Sequence, residues 1–252
     1  MMLFENSKPK LTLGYDLDAW NGYGAKIPVT ADVSQDTNSH TLLCGMSGSG
    51  KSYATQMHIA KLKQLQPNSE FYFADYKGED AFHFLKSSLR YYSYKQTVNA
   101  LDAVYDKLNA RLSGEDSTRH PIILVWDEYM ANILALIGED KKVATATMNK
   151  ISECLLLGRS MNVRLISTLQ RPDAIAFPVG SRLNYGIIVI LGAYIRSIYE
   201  MLLPDHMEQV KGRQFGRGEG VALLQGSELH FIKIPQVRDY ARMQELCIQA
   251  LS

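Results

Sequence analysis

Three groups of residues in this chain have the types and spacing that phosphate chemistry needs. Residues 41–52 read TLLCGMSGSGKS, which sets Gly45, Gly48, Gly50, Lys51 and Ser52 in the full G-x-x-x-x-G-K-[ST] spacing of a P-loop. Residues 122–129 read IILVWDEY, an apolar run that delivers two adjacent carboxylates, Asp127 and Glu128. Residues 163–172 read VRLISTLQRP, with Gln170 closing a second apolar run. In the first group the glycines allow a turn tight enough for backbone N–H groups to converge on an anion. The backbone of Gly45, Met46, Ser47, Gly48, Ser49, Gly50, Lys51, Ser52 and Tyr53 is therefore expected to hold the phosphates of ATP. Lys51 would reach the β- and γ-phosphates, and the Ser52 hydroxyl would hold Mg²⁺. Asp127 is expected to hold the same Mg²⁺ through water, and Glu128 to polarise the attacking water. Two adjacent carboxylates after a buried run are costly without such a partner.

The elements that must position these groups are legible around them. A strand over 40–44 feeds the glycine loop, and a helix runs from Lys51 to about Gln66, where Pro67 and Asn68 close it. FYFADYKGED reads as a strand whose tip, with Asp75, Lys77 and Gly78, should lie near the phosphates. Val98, Leu101, Tyr105, Leu108 and Leu112 recur at helical spacing, a core-facing stripe. The LSGED that follows is similar to the signature of transporter-type ATPases, but Asp127 comes too soon after it for the helix that signature caps, and such tetrads are ordinary loop composition. Pro121 opens the Asp-Glu strand, and a helix is expected over about 143–157. The run at 184–191 reads as a further strand. Residues 221–225 and 229–234 read as a terminal hairpin turning at Gly226 and Ser227, followed by a helix over 239–251. Residues 1–39 read as a small β-rich lead-in that carries no motif.

Bulk properties exclude several classes. The chain has 252 residues and 46% apolar content, enough for one large α/β core. A formal net charge of +1 means that contacts to a polyanion must come from local patches. Cys44, Cys154 and Cys247 lack C-x-x-C spacing, which argues against a zinc site or a disulfide framework and fits a reduced cytoplasmic interior. The N-terminal residues lack the apolar core of a signal peptide, and the run at 187–191 is too short to span a bilayer, so no membrane insertion is expected.

Taken in order, GMSGSGKS, ADYKG, VWDEY, LGRSMNV, LISTLQRP, RLN and FGRGEGVAL resemble the motor domain of the FtsK/SpoIIIE family of DNA translocases, within the HerA/FtsK group. The landmarks run from Leu42 to Leu223. The resemblance implies a RecA-like P-loop NTPase over residues 40–252, a mainly parallel sheet flanked by helices with a terminal β-hairpin. It also implies a homo-oligomeric ring, usually a hexamer, that moves along double-stranded DNA at the expense of ATP. With the apolar strand of Gln170 between the P-loop strand and the Asp-Glu strand, Gln170 would face the γ-phosphate and sense hydrolysis. Arg159 aligns with a family arginine that would complete a neighbour's ATP site. Arg196 is the second choice, in a Tyr-Ile-Arg context where the family usually has Asp-Ser-Arg. Asn162 stands where a glycine is common, and Asn tolerates the left-handed conformation. Lys141, Lys142 and Arg182 are candidate DNA contacts.

The large chromosome translocases carry membrane-spanning, linker and winged-helix parts that have no counterpart in these 252 residues. The expectation is therefore a motor for DNA transfer or maintenance of a mobile element, with a relaxase, replication or conjugation protein as partner. A nucleotide-dependent DNA-loading scaffold is the alternative. A small-molecule kinase fits less well, since no arginine-rich lid is present and Glu128 with Gln170 suits water activation. GTP specificity is disfavoured, because no N-K-x-D element follows the core strands.

Overall fold

The computed structural model describes residues 8–177 and 181–252; residues 1–7 of the lead-in lie outside the described residues. Ten strands form one sheet in the order β2-β1-β10-β9-β8-β3-β7-β6-β4-β5. Six of them, from the middle of the sheet to one edge, are parallel: β8 (Ile187–Leu191), β3 (Thr41–Gly45), β7 (Val163–Leu169), β6 (Ile122–Asp127), β4 (Glu70–Asp75) and the short edge strand β5 (Tyr91–Ser93). β3, β6, β7 and β8 are buried at every position, as parallel strands covered on both faces must be. Antiparallel β9 (Glu219–Leu224) and β10 (Glu228–Lys233) extend the sheet beyond β8. β1 (Lys10–Asp16) pairs with β10, and β2 (Pro28–Asp32) pairs with β1. The lead-in thus completes one edge of the same sheet, with α1 (Leu17–Tyr23) between its strands.

Strand alternation sends successive side chains into two cores. Leu42, Leu124, Trp126 and Leu165 pack on one face with α3 (Thr97–Ser113) and α5 (Lys141–Met161). Leu43, Ile123, Val125 and Ile166 pack on the other with α2 (Lys51–Leu65) and α8 (Tyr240–Ala250). The expected α/β architecture, its mainly parallel sheet and its terminal hairpin are present.

Several local expectations need correction. The helix expected from 143 starts at Lys141 and runs to Met161. It is preceded by an unforeseen α4 (Tyr129–Glu139), which begins one residue after the strand carrying Asp127. The buried face of α3 follows Leu101, Val104, Leu108 and Arg111, leaving Leu112 exposed. Arg111 is buried because Asp116, Thr118 and the Met161 carbonyl satisfy its guanidinium. The terminal turn is built on Gln225 and Gly226, both at positive φ (50° and 75°), not on Gly226 and Ser227. That pair of signs matches the twist of a hairpin. Asn162 takes the left-handed conformation expected of it, φ 54°, and caps α5. The helix carrying α6 (Arg196–Leu202) and the short α7 (Met207–Val210) fill the link from β8 to β9.

Two fully interior histidines make this fold sensitive to acid. His40 accepts a hydrogen bond from the Leu165 N–H at 3.0 Å, and His58 lies beside the Thr41 hydroxyl. Burial pushes each imidazole down to about 3, so both are neutral when folded and take up protons when unfolded below about 6.5. Their contribution is complete above 6.5 and is lost as pH falls toward 3. Lowering pH from 7.5 to 5 should cost about 4 kcal/mol from the two together, by about 1.4 kcal/mol per unit per group. Urea unfolding at the two pH values checks this, and His58→Gln should remove about half of the difference.

Candidate functional site

The site lies at the carboxyl end of the parallel strands, where open α/β sheets place their ligands. β3 ends at Gly45, a position with no room for a side chain: a Cβ there would lie 2.9 Å from the Leu191 carbonyl and 2.4 Å from the Ser49 hydroxyl. The loop then turns through Gly48 and Gly50, at φ 80° and 95°, and becomes α2 at Lys51. The Ser49 N–H donates to the Met46 carbonyl at 3.0 Å, and the Ser49 side chain is buried. Ser49 therefore braces the loop. The first N–H groups of α2, at Lys51, Ser52 and Tyr53, have no acceptor within their helix and carry its positive end.

Lys51 is turned back onto carboxylates. Its Nζ donates to Glu128 Oε1 at 2.9 Å and Thr168 Oγ1 at 3.3 Å, and lies 3.7 Å from Asp127 Oδ1. Burial opposes its charge, but Asp127 and Glu128 outweigh burial and raise its pKa. Thr168 ties the centre together: its hydroxyl donates to Asp127 Oδ1 at 2.6 Å and accepts from the Glu128 N–H at 3.2 Å. Burial pushes the Asp127 carboxyl up to about 6, against the pull of Lys51 and Thr168. For Glu128 burial also opposes the charge, yet the pairs with Lys51 and Lys77 win and lower the pKa. Lys77 Nζ donates to Glu128 Oε2 at 3.0 Å. Glu128 itself sits at φ 52°, a left-handed backbone that costs a non-glycine residue about 1–2 kcal/mol. This strain turns the chain from β6 into α4 and holds the carboxylate over Lys51.

The donor set fits Mg²⁺. Asp127 Oδ2 is buried and lacks a hydrogen-bond partner among the described residues, an unfilled acceptor of the kind a hydrated cation satisfies. The Ser52 hydroxyl donates to Glu79 Oε2 at 2.9 Å, which leaves its lone pairs available. Gln170, just past the end of β7, lines a cavity of about 310 Å³ together with the loop residues Met46 to Tyr53 other than Ser49, and with Glu79 and Arg217. β7 lies between β3 and β6, the arrangement its expected role requires.

Other expected residues are elsewhere. Asp75 is fully buried and holds its own turn, accepting from the Gly78 N–H at 2.7 Å and the Tyr91 hydroxyl at 2.5 Å. Of that strand tip, Lys77 and Glu79 reach the centre, and Asp75 does not. Arg159 is exposed near the end of α5, beside the start of β7. A seven-residue strand spans about 20 Å, so Arg159 lies at the amino end of the parallel strands, opposite the end that carries its own loop. Arg196 is exposed and pairs with Glu200 at 2.7 Å. Arg182 is half-buried and donates to the Met201 carbonyl, so it is not a free cation. Lys141 and Lys142 are exposed at the start of α5. Thr168, Glu79 and Arg217 escaped the sequence reading. For Thr168 the signal was present: two residues before Gln170 on a strand, it shares a face with it.

No family model and no curated protein matches the chain. Solved structures do. The chain aligns over 97% of its length with the cytoplasmic domain of the Thermomonospora curvata Type VII secretion ATPase EccC, at TM-score 0.68 and 18% identity, covering 31% of that chain. It aligns over 96% with the pCW3 conjugation coupling protein TcpA bound to ATPγS, at TM-score 0.71 and 19% identity, covering 70% of that chain. The genome packaging NTPase B204 of Sulfolobus turreted icosahedral virus 2, with ATPγS, matches 80% of the chain at TM-score 0.53 and 16% identity, covering 99% of that chain. The chain shares the fold of these ATPases, a RecA-like α/β sheet built around a P-loop.

The centre can be tested by stranding its charges. Lys51→Met leaves two buried carboxylates without their main cation, which costs about 3–5 kcal/mol when one partner of a buried pair is removed. The cost should be full at pH 8. At pH 5 it should be smaller, because burial already pushes the Asp127 carboxyl up to about 6 and loss of Lys51 pushes it higher, so a neutral carboxyl replaces the stranded charge. Urea unfolding of both forms at the two pH values reads the difference.

Proposed function

We propose that this protein is an ATP-hydrolysing motor that forms a ring, usually a hexamer in such motors, and moves double-stranded DNA. The observation that carries the reading is the strained Glu128, buried and held by Lys77 and by Lys51, which itself lines the cradle together with Gln170. A carboxylate poised beside a phosphate site activates water, and a polar strand end beside it reports the γ-phosphate. When triphosphate enters, Lys51 exchanges Glu128 for phosphate oxygens. Lys77 then keeps Glu128 charged and oriented as a hydrogen-bond acceptor for water. Ser52 and Asp127 are the residues to hold Mg²⁺, which when bound neutralises charge on the phosphate oxygens.

DNA as substrate is supported by the ordered landmarks of the sequence and by likeness to TcpA and B204, named for conjugation coupling and genome packaging. On this reading residues 40–252 are the motor and 1–39 its lead-in, in the cytoplasm, serving transfer or maintenance of a mobile element with a relaxase, replication or conjugation protein. Among the described residues no helix is long and apolar enough to cross a membrane. A second reading, movement of polypeptide, draws on likeness to EccC, also solved in complex with a signal sequence peptide.

ATPase rates with and without duplex DNA separate these. DNA should stimulate the wild type, and the stimulation should fall steeply between about 50 and 200 mM salt, as phosphate contacts do. Glu128→Gln should lose about 10²-fold or more in kcat while still binding ATP. Hydrolysis indifferent to DNA at every salt would sink the DNA motor and favour the polypeptide or scaffold readings.

Arg159, remote from its own loop, is proposed to act on a neighbour's nucleotide. Arg159→Ala and Lys51→Ala proteins should each be inactive alone. Mixed, they should recover activity, because a Lys51→Ala subunit supplies Arg159 to an intact loop. No recovery in mixed assemblies would rule that role out.

A further inference from the structure

The cradle continues past the phosphate loop, and what lies there is aromatic. Lys51, Asp127 and Glu128 mark the end of the site where a terminal phosphate would lie, so the rest of a nucleotide must leave the other way. On that side the cavity is walled by Tyr53, Gln56, Tyr240 and Arg217. These come from three separate parts of the chain: α2, α8 and the segment leading into β9.

The aromatic wall is held rigid. The rings of Tyr53 and Tyr240 are parallel, 5° between planes, with centroids 6.3 Å apart. The Tyr53 hydroxyl accepts from the Val237 N–H at 2.6 Å, which fixes the inner ring. The Tyr240 hydroxyl donates to Gln56 Oε1 at 2.9 Å, and Gln56 Nε2 donates to the Ala81 carbonyl at 2.8 Å, which fixes the outer one. Yet Tyr240 remains 43% exposed and is one of the residues that line the cavity.

Arg217 stands on the phosphate loop itself. The Gly218 N–H donates to the Ser49 carbonyl at 2.8 Å, and the Ile234 N–H donates to the Gly218 carbonyl at 2.7 Å, so the segment is pinned between loop and hairpin. The Arg217 Cγ passes 3.9 Å from the place where a Gly50 side chain would start. Its guanidinium is exposed and makes no ion pair with a carboxylate among the described residues. A fixed aromatic face and a free planar cation on one cavity form a receptor for a flat heterocycle carried on a phosphate chain.

We propose that Tyr240 and Arg217 form the base subsite, with the nucleobase stacked on Tyr240, itself backed by Tyr53, and Arg217 closing over the base and its sugar. The proposal rests on the nucleotide reading above and adds a claim about parts of the chain outside the P-loop core. The segment before β9 and the last helix, not the central strands, hold the organic half of the ligand.

The test compares Mg·ATP with Mg·tripolyphosphate, which has the phosphates and no base, by titration calorimetry. Tyr240→Ala should weaken ATP about tenfold, the scale of one lost base stack, and leave tripolyphosphate within about twofold. Tyr240→Phe, which keeps the ring and loses the hydroxyl's hold on Gln56, should weaken ATP less than Tyr240→Ala does and leave tripolyphosphate unchanged. Tyr240→Trp keeps an aromatic ring on the helix and gives a second readout: ATP should quench its fluorescence and tripolyphosphate should not. Equal loss of both ligands in Tyr240→Ala, or no loss of either, with no selective quenching in Tyr240→Trp, overturns the base subsite and leaves the phosphate site standing. A wild type that binds neither ligand overturns the nucleotide reading as well.

Discussion

One buried ammonium sets the terms for the centre of this molecule. Lys51 is almost inaccessible, and so are the carboxylates of Asp127 and Glu128 beside it. None of the three charges is tolerable in the interior without the others. The group forms only if the helix after β3, the end of β6 and the end of β7 meet at one point. The strand order β3-β7-β6 is thus an electrostatic requirement as much as a packing solution. An anion entering the loop competes with the carboxylates for the same ammonium. Lys77, on the opposite oxygen of Glu128, keeps that competition from leaving a bare buried charge.

Around this centre the fold divides its tasks. The six parallel strands and the helices on both faces bring the charged groups to a common edge. The antiparallel side does something different: the segment leading into β9 braces the loop from outside, through the Gly218 N–H on the Ser49 carbonyl. Gly50 is needed twice over here. It takes a φ of 95°, and a side chain on it would lie 3.4 Å from Gly218. Loop and brace are therefore fitted to each other at a contact that leaves little room for anything larger.

How much of this was legible in the sequence follows from the range of each interaction. Gly45 to Ser52, Asp127, Glu128 and Gln170 could be read because each stands at the end of an apolar run, and local pattern alone carries that signal. The buried strands were legible for the same reason. α4 was not, because its start depends on Glu128 taking a conformation that nothing in the type Glu announces. The face of α3 was misjudged because a buried Arg111 reads as surface until Asp116 and the Met161 carbonyl are seen around it. Glu79, Arg217 and Tyr240 sit in loops or at a helix start of ordinary composition. Only folding brings Tyr240 against Gln56, across 184 residues of chain.

The pairing of β1 with β10 also has a consequence in time. Asp16 lies opposite Ile232, so the strand made near the beginning waits for a partner made more than 200 residues later. At about 5–20 residues per second, that interval is about 10 to 40 s of synthesis. β1 and β2 can pair with each other at once, but the outer edge of β1 stays open until β10 emerges. During that interval the growing chain presents a bare strand edge to its surroundings, the kind of surface that other chains can pair with. The sheet can close along its whole width only once β10 has been made.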